Sequence, residues 1–144
     1  MTPRFDRRGD PTFLTSKLKP DAIIELAEVM SLLLQRQILE GRRKRMQSEL
    51  ERAVSCLREM GAERIILFGS MAGESPNPYG DIDLLVVMRT KDRFLDRLKK
   101  AYLAVQPSVA MDILVYTPEE FEEMKESSPF VSQALKEGRE LYAA

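Results

Sequence analysis

Residues 67–86 read LFGSMAGESPNPYGDIDLLV, and this stretch decides the fold. It begins inside the apolar run 64–68 and turns at Gly69-Ser70. A loop rich in glycine and proline follows, and a second apolar run begins with Asp81-Ile82-Asp83. Short apolar runs that are bounded by turn residues are typical of buried strands. The stretch therefore predicts two strands of one sheet, joined by a loop.

Two aspartates stand at the head of the second predicted strand. Side chains alternate along a strand, so Asp81 and Asp83 point to one face while Ile82 points to the other. Carboxylates roughly 5–7 Å apart repel unless they are protonated or bridged by a cation. Aspartate is uncommon in strands, so two aspartates at the head of one strand indicate a specific binding or structural role. Either it binds a metal, or Asp81 is a turn residue and Asp83 pairs with Arg64 or Arg89.

A third aspartate interrupts the apolar run 110–116, which predicts a third strand. If that strand lies beside the second, Asp112 reaches the same face as Asp81 and Asp83. Three carboxylates can hold two divalent ions about 3.5–4 Å apart, which clamp the attacking and leaving oxygens of a phosphoryl displacement. Asp112 is then also placed to accept the proton of an attacking hydroxyl.

The turn Gly69-Ser70 adds a phosphate-binding feature. Glycine lets the backbone approach a ligand closely. Exposed backbone N–H groups at such a turn, together with a serine hydroxyl, can cradle phosphate oxygens. Taken alone, the dipeptide would indicate a plain turn, and its position between the predicted strands is what links it to the aspartates.

The composition limits the kinds of catalytic and metal-binding site that the chain can form. The chain has 144 residues, a net charge of −1, 44% hydrophobic residues, no histidine and one cysteine. Histidine-dependent triads, histidine zinc sites, thiolate zinc sites and iron–sulfur clusters are therefore excluded. Oxygen ligands remain, and these suit Mg²⁺ or Mn²⁺. The single cysteine, Cys56, fits a reducing compartment.

The charge balance and hydropathy indicate further exclusions. A net charge of −1 gives no global electrostatic case for a nucleic acid partner. No run approaches the roughly 18 apolar residues of a membrane span. The first residues have no apolar core after their charges, so they do not form a secretory signal. We therefore expect a cytoplasmic protein with no membrane partner.

Three segments are expected along the chain. Residues 1–20 form an arm or loop, residues 21–41 an N-terminal helix, and residues 42–144 the catalytic domain, which itself opens with a second helix. Gly41 is either a weak break or a costly interior position of one longer helix. The basic run 42–45 indicates a solvated helix face, because glutamates lie nearby. A small sheet against helices is an α+β (α/β layer) architecture with an N-terminal helical extension.

The motif Leu67-Phe68-Gly69-Ser70, ten intervening residues and Asp81-Ile82-Asp83-Leu84-Leu85-Val86 resembles a known signature. It is that of the DNA polymerase β-like nucleotidyltransferase superfamily, and it is most similar to the small minimal nucleotidyltransferase (MNT) domain proteins of antitoxin type. Residues 111–121 and 129–139 are also similar to that group, so the resemblance covers about residues 43–142.

This resemblance implies a palm-type mixed sheet and an Mg²⁺-dependent enzyme, with two ions that Mn²⁺ can replace. ATP or another NTP would be the substrate, and its nucleoside monophosphate would pass to a hydroxyl. Asp81 and Asp83 correspond to the metal-binding pair, Asp112 to the third carboxylate, and Gly69 and Ser70 to the triphosphate-holding turn. Such proteins often act as antitoxins of a helical HEPN-type toxin, and some add AMP to one of its tyrosines.

The sequence also departs from the signature. Gly73 stands where the family usually has an arginine that neutralises phosphate charge, and Gly80 stands where it usually has a serine. Two alternatives therefore stay open: a non-catalytic binding module that neutralises a partner by contact, and a small-molecule (antibiotic) nucleotidyltransferase. The apolar helix 21–40 packs on its own domain or forms a surface for a partner or a homo-oligomer.

Overall fold

The computed structural model describes residues 19–74, 76–77 and 79–144. The chain divides into two compact units, Met1–Gly41 and Arg42–Ala144. Helix α1 spans Pro20–Glu59 and continues through Gly41. The two predicted helices are thus one element, and Gly41 is the costly interior position rather than the break. Of the predicted arm over residues 1–20, residues 1–18 lie outside the described residues, and only residues 19 and 20 are described.

The domain that follows alternates strands and helices. The three predicted strands are confirmed, with bounds shifted by a few residues. In order, the elements after α1 are β1 (Ala62–Phe68), a 3-10 turn (Gly69–Met71), β2 (Ile82–Met88), α2 (Phe94–Val105), β3 (Met111–Tyr116), α3 (Pro118–Ser127), α4 (Pro129–Glu137) and β4 (Arg139–Ala143).

The start of α3 shows how local sequence sets a boundary. The Thr117 hydroxyl accepts a hydrogen bond from the Glu120 backbone N–H, and the Glu120 carboxylate accepts one from the Thr117 N–H. This is a reciprocal capping box, with Pro118 at the first helical position. It fixes where the chain leaves β3 and turns back over the sheet.

The sheet has the strand order β3-β2-β1-β4. Strand β1 pairs antiparallel with both β2 and β4, and β2 pairs in parallel with β3, so the sheet is mixed as expected. Strand β4 was not predicted, because the sequence suggested only the end of a helix at Gly138. It is a short edge strand without an apolar run, and its pairing with β1 defines it.

Helices cover both faces of the sheet, which is why the central strands are apolar almost throughout. Helices α1 and α2 pack on one face, through Leu50, Ala53, Leu57, Ala101 and Val105. Helices α3 and α4 pack on the other, where the buried side chains are Ile66, Leu85, Val87, Phe121 and Val131. The odd-numbered residues of β2 therefore lie on the α3–α4 face, and this places Asp83 on that face.

The unit Met1–Gly41 is described only as the first part of α1. Nine of its large apolar side chains are between 37% and 64% exposed: Ile23, Ile24, Leu26, Val29, Met30, Leu32, Leu33, Leu34 and Ile38. No helix in the described ranges has the length and apolar content that crossing a membrane requires.

Candidate active site

The turn after β1 lies directly against the head of β2. Phe68, the last residue of β1, is paired with Asp83 across the antiparallel ladder, and Gly69 follows at once. Gly69 has a φ of +73°, and a Cβ built there would lie 2.2 Å from Asp83 Oδ2. Only glycine allows both the left-handed backbone and this approach. The predicted phosphate turn and the predicted metal-binding strand are therefore in contact.

A second contact joins the same two segments at Ser70 and Gly80. A Cβ on Gly80 would lie 2.3 Å from Ser70 Oγ, so the serine hydroxyl fills the space where a side chain would stand. The loop between them closes through Asn77, whose carbonyl accepts from the Gly80 N–H at 2.9 Å and whose side chain accepts from the Tyr79 N–H at 3.0 Å. A side chain at position 80 would therefore require the Ser70 hydroxyl to rotate away.

The sheet brings two of the three predicted carboxylates side by side. Asp83 and Asp112 are the second residues of β2 and β3, and they are direct partners in the parallel register. Asp83 is half-buried, whereas Asp112 is exposed at the edge strand. Asp81 lies just before β2, not within it, and is exposed. All three positions lie at the same end of the sheet.

The electrostatic state of Asp83 reflects this crowding. Burial, the neighbouring Asp112 carboxyl and the Asp81 charge together raise the pKa of Asp83 to about 6, with burial the largest cause. Removing a carboxylate from water disfavours its charged form, and a like charge nearby disfavours it further. The pair is therefore short of positive charge.

The alternative of plain ion pairs for these aspartates is wrong. Arg64 pairs with Glu140 at 2.7 Å, and Arg89 pairs with Glu63 at 2.9 Å. Within the described ranges, no lysine or arginine forms a salt bridge with any of the three aspartates. The pair Asp83–Asp112 has hard oxygen donors and a charge deficit, and both features suit a divalent cation.

The three aspartates nevertheless do not come together as one set of metal ligands. Over the residues that the structure covers, no group of three His, Cys, Asp or Glu side chains is close enough together to hold a metal ion. Asp83 and Asp112 are neighbours in the register of β2 and β3, and Asp81 acts on Asp83 through its charge. The two paired carboxylates have the donor chemistry to hold one cation, with Asp81 nearby.

The family follows from comparison with known proteins. Residues 48–142 match the nucleotidyltransferase domain. The chain belongs to the nucleotidyltransferase domain family. Among solved structures, a chain from a crystal structure of a mutant of the toxin–antitoxin MntA-HpeT is similar, with 18% identity over 63% of this chain and 70% of that chain and a TM-score of 0.42. A search of functionally curated proteins gives no significant match.

Sequence reasoning missed one residue that positions the candidate site. The Tyr102 hydroxyl on α2 donates to the Met111 carbonyl at 3.2 Å and accepts from the Ile113 N–H at 2.9 Å. These two groups flank Asp112 on the outer edge of β3, so Tyr102 fixes the backbone that carries this carboxylate. The sequence indicated only that Tyr102 faces inward from its helix.

Replacing Asp83 by asparagine should change how stability depends on pH. The folded-state pKa of about 6 lies above the ordinary 3.8, so the folded protein holds a proton that the unfolded chain has lost between these values. Stability then falls as pH rises through this window. In metal-free buffer, Asp83→Asn should be more stable than the wild type by about 1 kcal/mol at neutral pH, after allowance for solvent screening, with the difference fading near pH 4.

Urea unfolding at both pH values measures this difference. Asp96→Asn, which removes an exposed carboxylate from α2, is the matched control and should give no stability gain at neutral pH. An Asp83→Asn effect of equal size at both pH values would contradict the assigned cause, because it would not depend on ionisation.

Proposed function

We propose that this domain transfers a nucleoside monophosphate from an NTP, with ATP as the expected donor, to a hydroxyl group. The observation that carries the proposal is the contact of the Gly69-Ser70 turn with the Asp83 carboxylate. A phosphate cradle and a pair of cation ligands then share one surface. A triphosphate on the turn would lie beside the carboxylates, where a cation serves both.

Each residue of the site has a separate role in the proposed reaction. Asp83 and Asp112 would hold Mg²⁺, or Mn²⁺ in its place, and Asp81 would add negative charge nearby. When bound, the ion would neutralise phosphate charge and orient the transferred group. Backbone N–H groups at Gly69 and Ser70 hold the phosphate oxygens. Asp112 is the exposed member of the pair, so an incoming hydroxyl can reach it and give up its proton there.

The reaction is balanced by these groups. The acceptor oxygen forms a bond to the α-phosphorus, and the bond from that phosphorus to the bridging oxygen of the β-phosphate breaks. Pyrophosphate leaves, and the hydroxyl proton passes to Asp112. In-line geometry of this kind depends on positioning and charge stabilisation more than on covalent chemistry by the protein.

We place the acceptor hydroxyl on a partner protein, a helical HEPN-type toxin that the domain would inactivate as an antitoxin in the cytoplasm. The resemblance of residues 111–121 and 129–139 to MNT antitoxins supports this choice. Exposure of Asp81 and Asp112 supports it too, since an open site admits a hydroxyl carried on a large molecule.

A transfer assay tests the proposal. The protein is incubated with ATP labelled in the α-phosphate, Mg²⁺ and the product of the neighbouring reading frame. Label should appear on the partner, be lost in Asp81→Ala/Asp83→Ala, persist in Asp96→Ala, and fall by about a hundredfold or more in Asp112→Asn if this residue is the base.

The possible outcomes separate the alternatives. Label on the partner that persists in Asp81→Ala/Asp83→Ala would refute the assigned site. Partner binding without label would favour a module acting by contact, as the glycine at position 73 allows. In a parallel incubation with a hydroxyl-bearing antibiotic in place of the partner, label on the antibiotic, with none on the partner, would favour the antibiotic-modifying alternative. Full activity of Asp112→Asn would remove its role as base.

For the apolar part of α1, we propose pairing with a second copy of the chain. Residues 20–41 span about 30 Å, and two such faces together can bury several hundred Å² per partner, a scale suited to a small interface. Three of the four acids of this segment, Asp21, Glu25 and Glu28, lie in its first half, and the fourth, Glu40, pairs with Arg36. Antiparallel pairing keeps these acids apart, whereas parallel pairing would place them side by side.

Charge substitutions test the self-association. Met30→Glu/Leu33→Glu puts two carboxylates into the apolar face and should shift the protein from dimer to monomer in sedimentation equilibrium. Gln35→Glu adds a charge on the opposite side of the same helix and should leave the dimer intact. A wild-type protein that stays monomeric at all concentrations, or a double variant that stays dimeric, would contradict the pairing.

A further inference from the structure

The basic run 42–45 on α1 has a place in the structure beyond a solvated face. Arg42 and Arg45 are exposed and line a cavity of about 420 Å³. Tyr79, Gly80 and Asp81 line the same cavity. Its size lies within the range of small-molecule sites, roughly 300–1,000 Å³. The sequence could not show this, because the run and the loop are far apart in the chain.

Neutral groups hold both guanidinium groups in place. The Arg42 guanidinium carbon lies 4.5 Å from the centre of the Tyr79 ring. Arg45 donates from Nη2 to the Ser108 carbonyl at 2.8 Å. In the part of the chain that the structure describes, neither forms a salt bridge with a carboxylate.

Other arginines of the domain differ in this respect. Four of them pair with glutamates at 2.7–2.9 Å, namely Arg52, Arg64, Arg89 and Arg97. Arg42 and Arg45 thus present ordered, exposed positive charge that forms no direct ion pair with a described carboxylate. Planar guanidinium groups of this kind suit phosphate oxygens.

We infer that Arg42 and Arg45 bind the phosphate chain of the nucleotide, in place of the arginine that the motif lacks at Gly73. The inference rests on the proposed function and extends it. The loop that starts at the Gly69-Ser70 turn ends at Gly80 and Asp81, beside these two arginines. A polyphosphate on the turn meets repulsion from the aspartates, and cationic donors at the loop's other end counter it.

The neighbouring pair in the run provides a contrast. Arg43 and Lys44 line a separate cavity of about 630 Å³, whose wall also carries Glu51 and Glu74. Two carboxylates there face two cationic side chains, whereas the cavity of Arg42 and Arg45 has one carboxylate, Asp81, so the second cavity is the poorer anion site. Arg43 is therefore a matched control, one position away, with the same charge and exposure.

Isothermal titration of the full chain with ATP and with inorganic tripolyphosphate, each with Mg²⁺, tests the inference. Arg42→Gln and Arg45→Gln should each weaken both ligands by about tenfold or more, because a hydrogen bond to a charged group is lost. Arg43→Gln should change affinity by less than about twofold. Arg42→Lys and Arg45→Lys, which keep the charge, should recover part of the loss.

The outcomes are distinct. A wild-type protein that binds neither ligand refutes the proposed function, and the inference with it. Binding by the wild type that survives in Arg42→Gln and Arg45→Gln, or that falls equally in Arg43→Gln, overturns the inference alone. A loss for ATP but not for tripolyphosphate also overturns it, since the arginines would then contact the nucleoside.

Discussion

The close approach of the Gly69-Ser70 turn to the head of β2 is the constraint on which the site depends. The register of β1 against β2 sets it, since Phe68 lies opposite Asp83 and the chain must turn immediately afterwards. Gly69 permits the approach to Asp83, and the absence of a side chain at Gly80 makes room for the Ser70 hydroxyl. A larger residue at position 69 would push the turn and the carboxylate apart. The packing of Gly69 against Asp83 therefore brings the phosphate turn and the carboxylates together.

The charges around this contact follow a consistent pattern. Helices cover both faces of the sheet, so a carboxylate on β2 is partly removed from water. This burial disfavours the charged form of Asp83 and raises its pKa. Nearby arginines such as Arg64 and Arg89 pair with glutamates instead. Acidic groups therefore lie at the centre, with Arg42 and Arg45 at the edge of the adjoining cavity. A cation bound to a polyphosphate matches that distribution.

Local signals made much of the domain predictable. Apolar runs between turn residues predicted β1, β2 and β3, and lone aspartates in apolar runs predicted the carboxylates at the head of the sheet. Non-local features were not predictable. Strand β4 depends on pairing with β1, and the placement of Arg42 beside Tyr79 depends on how α1 packs on the sheet. The ligand cluster was also expected to be tighter than the structure shows.

The central claim is that the turn and the aspartates form a single site for a cation and a nucleotide. A crystal structure with Mn²⁺ and a non-hydrolysable ATP analogue, using the anomalous signal of manganese, tests it most directly. We expect a manganese peak between Asp83 and Asp112, with the triphosphate against the backbone N–H groups of Gly69 and Ser70. Manganese bound away from these aspartates, or a nucleotide ordered elsewhere on the domain, would contradict it.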